Sequence, residues 1–352
     1  MRRVPTRAVV CAVVLAVVVA ALATAEVAPT GAAPMRCNGQ ARLCGLPLGE
    51  VAFATTHNSM SSPADGFIGP NQGKPMSWQL AHHIRGFQID AYEGLDRGGR
   101  IYTELAGPFG SQATDLSPAL VRTATRIHES IGAPPAGTPT DVYLCHTFCE
   151  LGGVKLSTVA ADVRSFLDEH PNEVLVFVVE DYVTPERIRA ELAEAGLERE
   201  LVAVTPNAAL PTLGTMIANR TRLFVSLENG DGGASMPNAF AALVQETPFT
   251  FLSASAVVGV ASCAPNRGVA DAPVFQFNHW VTPPTTRRAR AVNGRALQTR
   301  VARCTAERGR TPTLVAVDFA ERSDVVAVVD RLNSGDPNSD GRIFRPLRTR
   351  GS

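Results

Sequence analysis

The sequence predicts an α/β fold, a (β/α)8 barrel built as a single disulfide-stapled domain, and three observations carry that prediction. Short, near-continuous apolar runs rich in β-branched residues recur, each ending in polar or charged residues, as strands of a sheet buried on both faces require. Amphipathic helical patterns alternate with them. Once an N-terminal export segment is set aside, about 325 residues remain, an ordinary length for one such barrel.

The runs are Val51–Thr55, Gly86–Asp90, Asp141–Cys145, Val174–Val179, Arg222–Leu227, Val274–Asn278 and Leu314–Asp318. An eighth, sixth in order, is weak and falls near Pro248–Ser253. Ser117-Pro118 predicts an N-cap followed by proline in the first turn, with Leu120, Ala124, Ile127 and Ile131 on one face. Ser157 is expected to cap a second helix, Thr184-Pro185 a third, and a last helix follows Ser323. Closure rests on strand count and length. An open doubly wound sheet is the alternative, and its dinucleotide-binding version is weakened because no G-x-G-x-x-G follows the first strand. Residues 59–77, rich in Gly and Pro, read as a long loop after that strand, on the face where such barrels build their sites.

Arg2, Arg3 and Arg7 precede an apolar run from Ala8 to Leu22 and then Ala23-Thr24-Ala25, the pattern of a cleaved signal peptide over residues 1–25. The run is about 15 residues, short of the roughly 20 that span a bilayer. Export of a soluble protein is the expectation. An extension over 26–45, a barrel over 46–333 and a polar tail over 334–352 complete the predicted organisation. Cys11 leaves with the leader, and the six remaining cysteines suggest three disulfides in an oxidising compartment. Six cysteines allow fifteen pairings. The local set is favoured: Cys37 with Cys44, Cys145 with Cys149, and Cys263 with Cys304.

Thirty-three basic and 33 acidic residues balance, and only Lys74 and Lys155 are lysine, so no nucleic-acid footprint is expected. A monomer is expected. Arg287, Arg288, Arg290 and Arg295 could meet anionic lipid, although a solvated helix face explains them as well. Asp336-Pro-Asn-Ser-Asp340-Gly341 starts like an EF-hand loop but has Leu347 where the bidentate glutamate belongs, so it reads as a turn.

The strand ends carry the chemistry: His57 and Asn58 after the first strand, Asp90 on the second, His146 after the third, Glu180 after the fourth and Asp318 on the last. In a barrel these converge on one mouth. First and last strands are neighbours, so Asp318 is placed to orient His57. Two histidines across a reacting centre permit paired proton transfer, one removing a proton and one supplying it. Asn58, Asp90 and Glu180 offer only oxygen, the preference of a hard cation such as Ca2+.

These segments resemble a known family. Ala54-Thr-Thr-His57-Asn-Ser59, Gly86-Phe-Gln-Ile-Asp90, Leu144-Cys-His146 and Val176-Phe-Val-Val-Glu180 are similar to the X-box of phosphatidylinositol-specific phospholipase C and its secreted phospholipase-C-like relatives. A weaker likeness continues through Pro211-Thr-Leu-Gly214, Phe275-Gln-Phe-Asn278 and Ala316-Val-Asp-Phe319. The resemblance implies an irregular TIM barrel, with His57 as base and His146 as acid in the cleavage of a phospholipid to a cyclic inositol phosphate. It also implies a peripheral membrane surface and calcium at Asn58, Asp90 and Glu180, the acid at Asp90 replacing an arginine of metal-independent bacterial members. Gln88 departs from the glutamate usual in calcium-dependent members and removes one negative charge. Lys155, Arg85, Tyr92 and Trp280 are candidates for substrate contact. Two other classes remain open: a glycoside hydrolase using Asp90 and Glu180, and a secreted binding module that keeps the barrel without turnover.

Overall fold

A computed structural model describes residues 35–103, 116–205 and 208–335 of the chain. The leader and the turn at Asp336–Gly341 lie outside the described residues. Ten strands are present among those residues: β1 (Phe53–Thr56), β2 (Gly86–Asp96), β3 (Ile101–Thr103), β4 (Asp141–Leu144), β5 (Val154–Lys155), β6 (Leu175–Asp181), β7 (Leu223–Leu227), β8 (Val244–Glu246), β9 (Val274–His279) and β10 (Leu314–Val317).

Seven of them run parallel in the order β8-β9-β10-β1-β2-β6-β7. No ladder joins β7 to β8 among the described residues, and the wall between them is carried by a single bridge from Leu227 to Asn238. The barrel is therefore irregular, open at one seam. Gly86 starts β2 because it lies opposite Thr55 of β1, whose side chain occupies the space a Cβ there would need.

Two expected strands change role. Asp141–Leu144 is not a parallel wall strand but pairs antiparallel with the outer half of β2, Ala91 opposite Leu144 and Gly94 opposite Asp141. The reason is length: β2 pairs with β6 only as far as Ala91, and its projecting end is capped by β3 and β4 instead. The strand expected near Pro248–Ser253 is instead β8, the fifth wall strand in chain order. Two of its three residues are polar, so no apolar run announces it, and Pro248, which has no N–H to donate, ends it. The second helix spans Leu156–Glu169 with Lys155, not Ser157, at its N-cap. Ser117 does cap Pro118–Ile131, accepting from the Leu120 amide.

Period-two alternation sorts each wall strand into an outer and an inner face. On β6, Leu175, Phe177 and Val179 pack under the helices, whereas Val176 and Val178 join Phe53, Phe224, Val274 and Leu314 in a second apolar cluster closed by Leu43, Leu48, Leu213 and Met216. Continuing that inner set by one step gives Glu180 on β6, and the same parity gives Gln88 and Asp90 on β2, His57 beyond β1 and Asp318 beyond β10. The interior is thus apolar below and polar at the mouth.

Disulfides join Cys37 to Cys44, Cys145 to Cys149 and Cys263 to Cys304. Among the described residues, no helix is long and apolar enough to cross a membrane.

Candidate active site

The segment after β1 turns sharply. Gln72 donates from Nε2 to the carbonyls of His57 (2.7 Å) and Val317 (3.0 Å), tying the ends of β1 and β10 together. Neighbouring Asn71 donates from Nδ2 to Asp318 Oδ1 (3.2 Å), and its carbonyl accepts from the Phe319 amide. The long loop thereby holds the carboxylate in place.

His57 donates from Nδ1 to Asp318 Oδ1 across 2.9 Å, with the imidazole 19% and the carboxylate 3% exposed. A carboxylate can only accept, so Nδ1 carries the hydrogen and Nε2 is left as the basic nitrogen. Asp318 Oδ2 is buried without a partner among the described residues, which concentrates the acid's interaction on the oxygen facing His57 and Asn71. His146 reaches the same place from the other side. Because β4 is antiparallel, its end returns to the level of Asp90, whose carbonyl accepts from the Cys145 amide (3.2 Å). The rings of His57 and His146 stand 6.5 Å apart at 71°.

The residue after each of these three side chains has a left-handed backbone: Asn58 (φ 44°), Thr147 (φ 61°) and Phe319 (φ 50°). For a threonine and a phenylalanine this costs on the order of 1–3 kcal/mol, tolerated where the surroundings over-determine the geometry. Here it turns the chain abruptly and leaves His57, His146 and Asp318 aimed inward.

Asp90 and Glu180 are register partners on β2 and β6. Tyr182, stacked on Tyr92 at 4.4 Å, donates its hydroxyl to Glu180. Burial, and then the carboxylates of Asp90 and Glu180, push both phenols well above their ordinary range, so they remain hydrogen-bond donors. One end of the Asn58 amide lies 3.2 Å from His57 Nε2 and the other 3.1 and 3.2 Å from the Asp90 carboxylate oxygens. Turned so that its Nδ2 donates to both Asp90 oxygens, the amide presents its Oδ1 to His57 Nε2, where it accepts once that nitrogen carries a proton. Gln88 Oε1, on the same face of β2, is buried without a partner among the described residues.

No group of three or more His, Cys, Asp or Glu side chains among the described residues could hold a metal ion. The oxygen donors that fit a hard cation are two carboxylates, Asp90 and Glu180, assisted by the amide oxygens of Asn58 and Gln88. Gln88 Nε2 is 3.4 Å from Asn278 Oδ1.

His57, Asn58, Gln88, Asp90, His146 and Glu180 line one cavity of about 240 Å³, which Glu228, Glu246, Arg267 and Trp280 complete, while Asp318 stands behind His57 and outside that lining. Arg267 donates to Glu228 (2.6 Å) and Glu246 (2.5 Å), and its guanidinium lies 4.0 Å from the Phe240 ring and 4.9 Å from that of Phe249. Burial and the carboxylates of Glu180 and Glu246 push the Glu228 carboxyl up, against the pull of Arg267. Of the residues considered for substrate contact, Tyr92 and Trp280 line the cavity. Arg85 is committed elsewhere, to Glu173 (2.6 Å) and the carbonyls of Leu80 and Ile84. Lys155 pairs with Asp141 at the surface. Arg287, Arg290 and Arg295 are exposed.

A family model described as PI-PLC X 1 matches residues 135–333, more than half of the chain. The chain belongs to the PI-PLC X family. A PI-PLC X domain-containing protein of Arabidopsis thaliana is 26% identical over 319 residues, 82% of this chain. The chain spans 63% of that relative's length. The solved phosphatidylinositol-specific phospholipase C from Listeria monocytogenes is 17% identical, with 82% of this chain and 97% of that one covered and a TM-score of 0.47. A variant of the Staphylococcus aureus enzyme is 15% identical, with 82% and 94% covered and a TM-score of 0.45.

Several residues that line or brace this PI-PLC X site escaped sequence reasoning. Glu228 directly follows β7, as Glu180 ends the inner face of β6, so strand-end reasoning could have found it. Glu246 sits on a strand of three residues, too short for periodicity to register. Arg267, Asn71 and Gln72 lie on loops, where no periodic signal exists.

Proposed function

We propose that this PI-PLC X protein is an exported phosphodiesterase of phospholipase C type, cleaving phosphatidylinositol or a related glycerophospho-substrate. One observation carries the reading: an imidazole held by a buried carboxylate, with a second imidazole facing it across one cavity. His57 Nε2 takes the proton of the attacking inositol hydroxyl while Asp318 stabilises the imidazolium. A bond forms from that oxygen to phosphorus as the bond to the glycerol oxygen breaks, and His146 supplies the leaving oxygen's proton. The product is a cyclic inositol phosphate and diacylglycerol.

Asn58, Asp90 and Glu180 are the residues that would hold a calcium ion, with Gln88 contributing an uncharged oxygen. A divalent cation there supplies charge neutralisation for the phosphate. Three disulfides favour an exported protein, since such crosslinks persist in oxidising compartments. Substrate in a bilayer makes the membrane surface the place of action.

His57→Ala and His146→Ala are each expected to abolish release of phosphorylated head group from phosphatidylinositol vesicles, read by mass spectrometry, with circular dichroism unchanged. Each proton transfer contributes about 10²–10⁴-fold. Retained turnover in either folded variant ends the assignment. Addition of chelator is expected to lower the rate; an active enzyme indifferent to chelator rejects calcium and leaves the histidine pair standing.

A further inference from the structure

We infer that Trp280 is a positioning residue for His57. The indole and imidazole lie face to face, with centroids 3.7 Å apart and planes within 5°. Trp280 is 5% exposed and stands two residues beyond Asn278 on the inward-facing set of β9.

The indole rests on a well-held backbone. Next to it, Val281 packs with Phe251, Val257 and Val292. The Thr282 amide donates to the Phe251 carbonyl (2.8 Å), and Arg288 donates to the carbonyls of Thr282 and Pro283 (3.0 Å each). The indole is therefore a fixed wall against which the imidazole lies.

What that wall adds follows from the other contacts of His57. Asp318 at Nδ1 and Asn58 at Nε2 meet the ring at its edge. Edge contacts fix where the nitrogens sit but do less to hold the plane of the ring against a tilt about its Cβ–Cγ bond. Such a tilt swings the Nε2 lone pair away from the attacking hydroxyl, and misplacement by about 1 Å can cost ~10²-fold in rate. A flat aromatic surface on one face removes the tilt, and the edge-to-face approach of His146 leaves the remaining side of the ring open to the cavity.

The role rests on the proposed phosphodiester cleavage, and the test separates the two. In the full chain, Trp280→Leu is expected to lower kcat by about 10²-fold with KM changed less than about twofold, while Trp280→Phe, which keeps a flat ring, retains kcat to within about fivefold. Wild-type turnover with an undiminished kcat in the folded Leu variant overturns the inference alone. So does a Phe variant as impaired as Leu. Absence of wild-type turnover ends the proposed function, and the positioning role with it. A second measurement does not depend on turnover. The chain has two tryptophans, and the other, Trp78, stacks on His82 at 3.6 Å. In a Trp78→Phe background the near-ultraviolet dichroism comes chiefly from Trp280, and adding His57→Leu is expected to diminish it. An unchanged indole signal places the imidazole elsewhere and overturns the inference.

Discussion

His57 and His279 end strands that flank β10 on opposite sides, one following β1 and the other closing β9. Their surroundings oppose each other in every respect that matters to a proton. His57 is partly open to the cavity and backed by a carboxylate. His279 is fully buried, donates from Nε2 to the Val292 carbonyl (2.9 Å) and has Arg300 Nη1 3.2 Å from Nδ1, which must therefore accept. Burial first, and the guanidinium second, push its pKa down to about 3. One parity step explains the contrast: His57 and Asp318 continue the inner face of their strands, whereas His279 shares the outer face with Phe277. A histidine at a strand end is a proton carrier only if the neighbouring charge favours imidazolium and one nitrogen is left to the cavity.

The strongest way to break that contrast is to remove the charge behind His57. Asp318→Asn keeps the shape but offers an amide, which can hold Nδ1 as an acceptor and leave the hydrogen on Nε2, the wrong tautomer for a base. A fall in kcat of about 10²–10⁴-fold on phosphatidylinositol is expected. A loss under about tenfold would mean that Asp318 does not orient the base.

That prediction was available from sequence, since His57 and Asp318 lie on first and last strands that any closed barrel brings together. The set Asn58, Asp90 and Glu180 was also legible, as polar ends of apolar runs, and the structure brings these residues into one cavity with the histidines. The path of His146 was not. It arrives on an antiparallel strand, and strand direction leaves no mark in a four-residue apolar run. Trp280 was visible only as a candidate among several, because stacking on His57 depends on how far β9 runs past the mouth. His279 follows a strand as His57 does, and nothing local distinguishes them. Arg300, which does, lies on a helix more than twenty residues later.

The second prediction addresses His279 directly. Its folded pKa is depressed, so above the unfolded value of about 6.5 neither state carries the proton and its contribution to stability is complete. Between pH ~6.5 and about 3, unfolded chains bind a proton that the folded chain refuses. Stability is therefore lost on acidification, by up to about 1.4 kcal/mol per pH unit in that window. The buried carboxyl of Asp181, raised chiefly by burial, acts with the opposite sign, so the variant comparison isolates the histidine. His279→Gln is expected to lower stability at pH 7 yet flatten the dependence of the denaturation midpoint between pH 7 and 5. An unchanged slope would mean that His279 takes up a proton in the folded state.

The smallest effect separates His146 from His57. Side chains hold His57 from Asp318, Asn58 and Trp280, whereas the loop carrying His146 is closed by a disulfide between residues four apart, Cys145 and Cys149. A loop this short restricts the unfolded chain little, and Cys145→Ala with Cys149→Ala should cost about 2 kcal/mol by loop entropy. The larger consequence is expected in the proposed general acid. Releasing the turn at Thr147 lets His146 leave its place opposite His57, lowering kcat by about tenfold. A substrate whose leaving group departs without protonation bypasses that acid, so the double variant should cleave it at close to the wild-type rate. Equal losses on both substrates would show that the crosslink supports the whole mouth, His57 included, and not His146 alone.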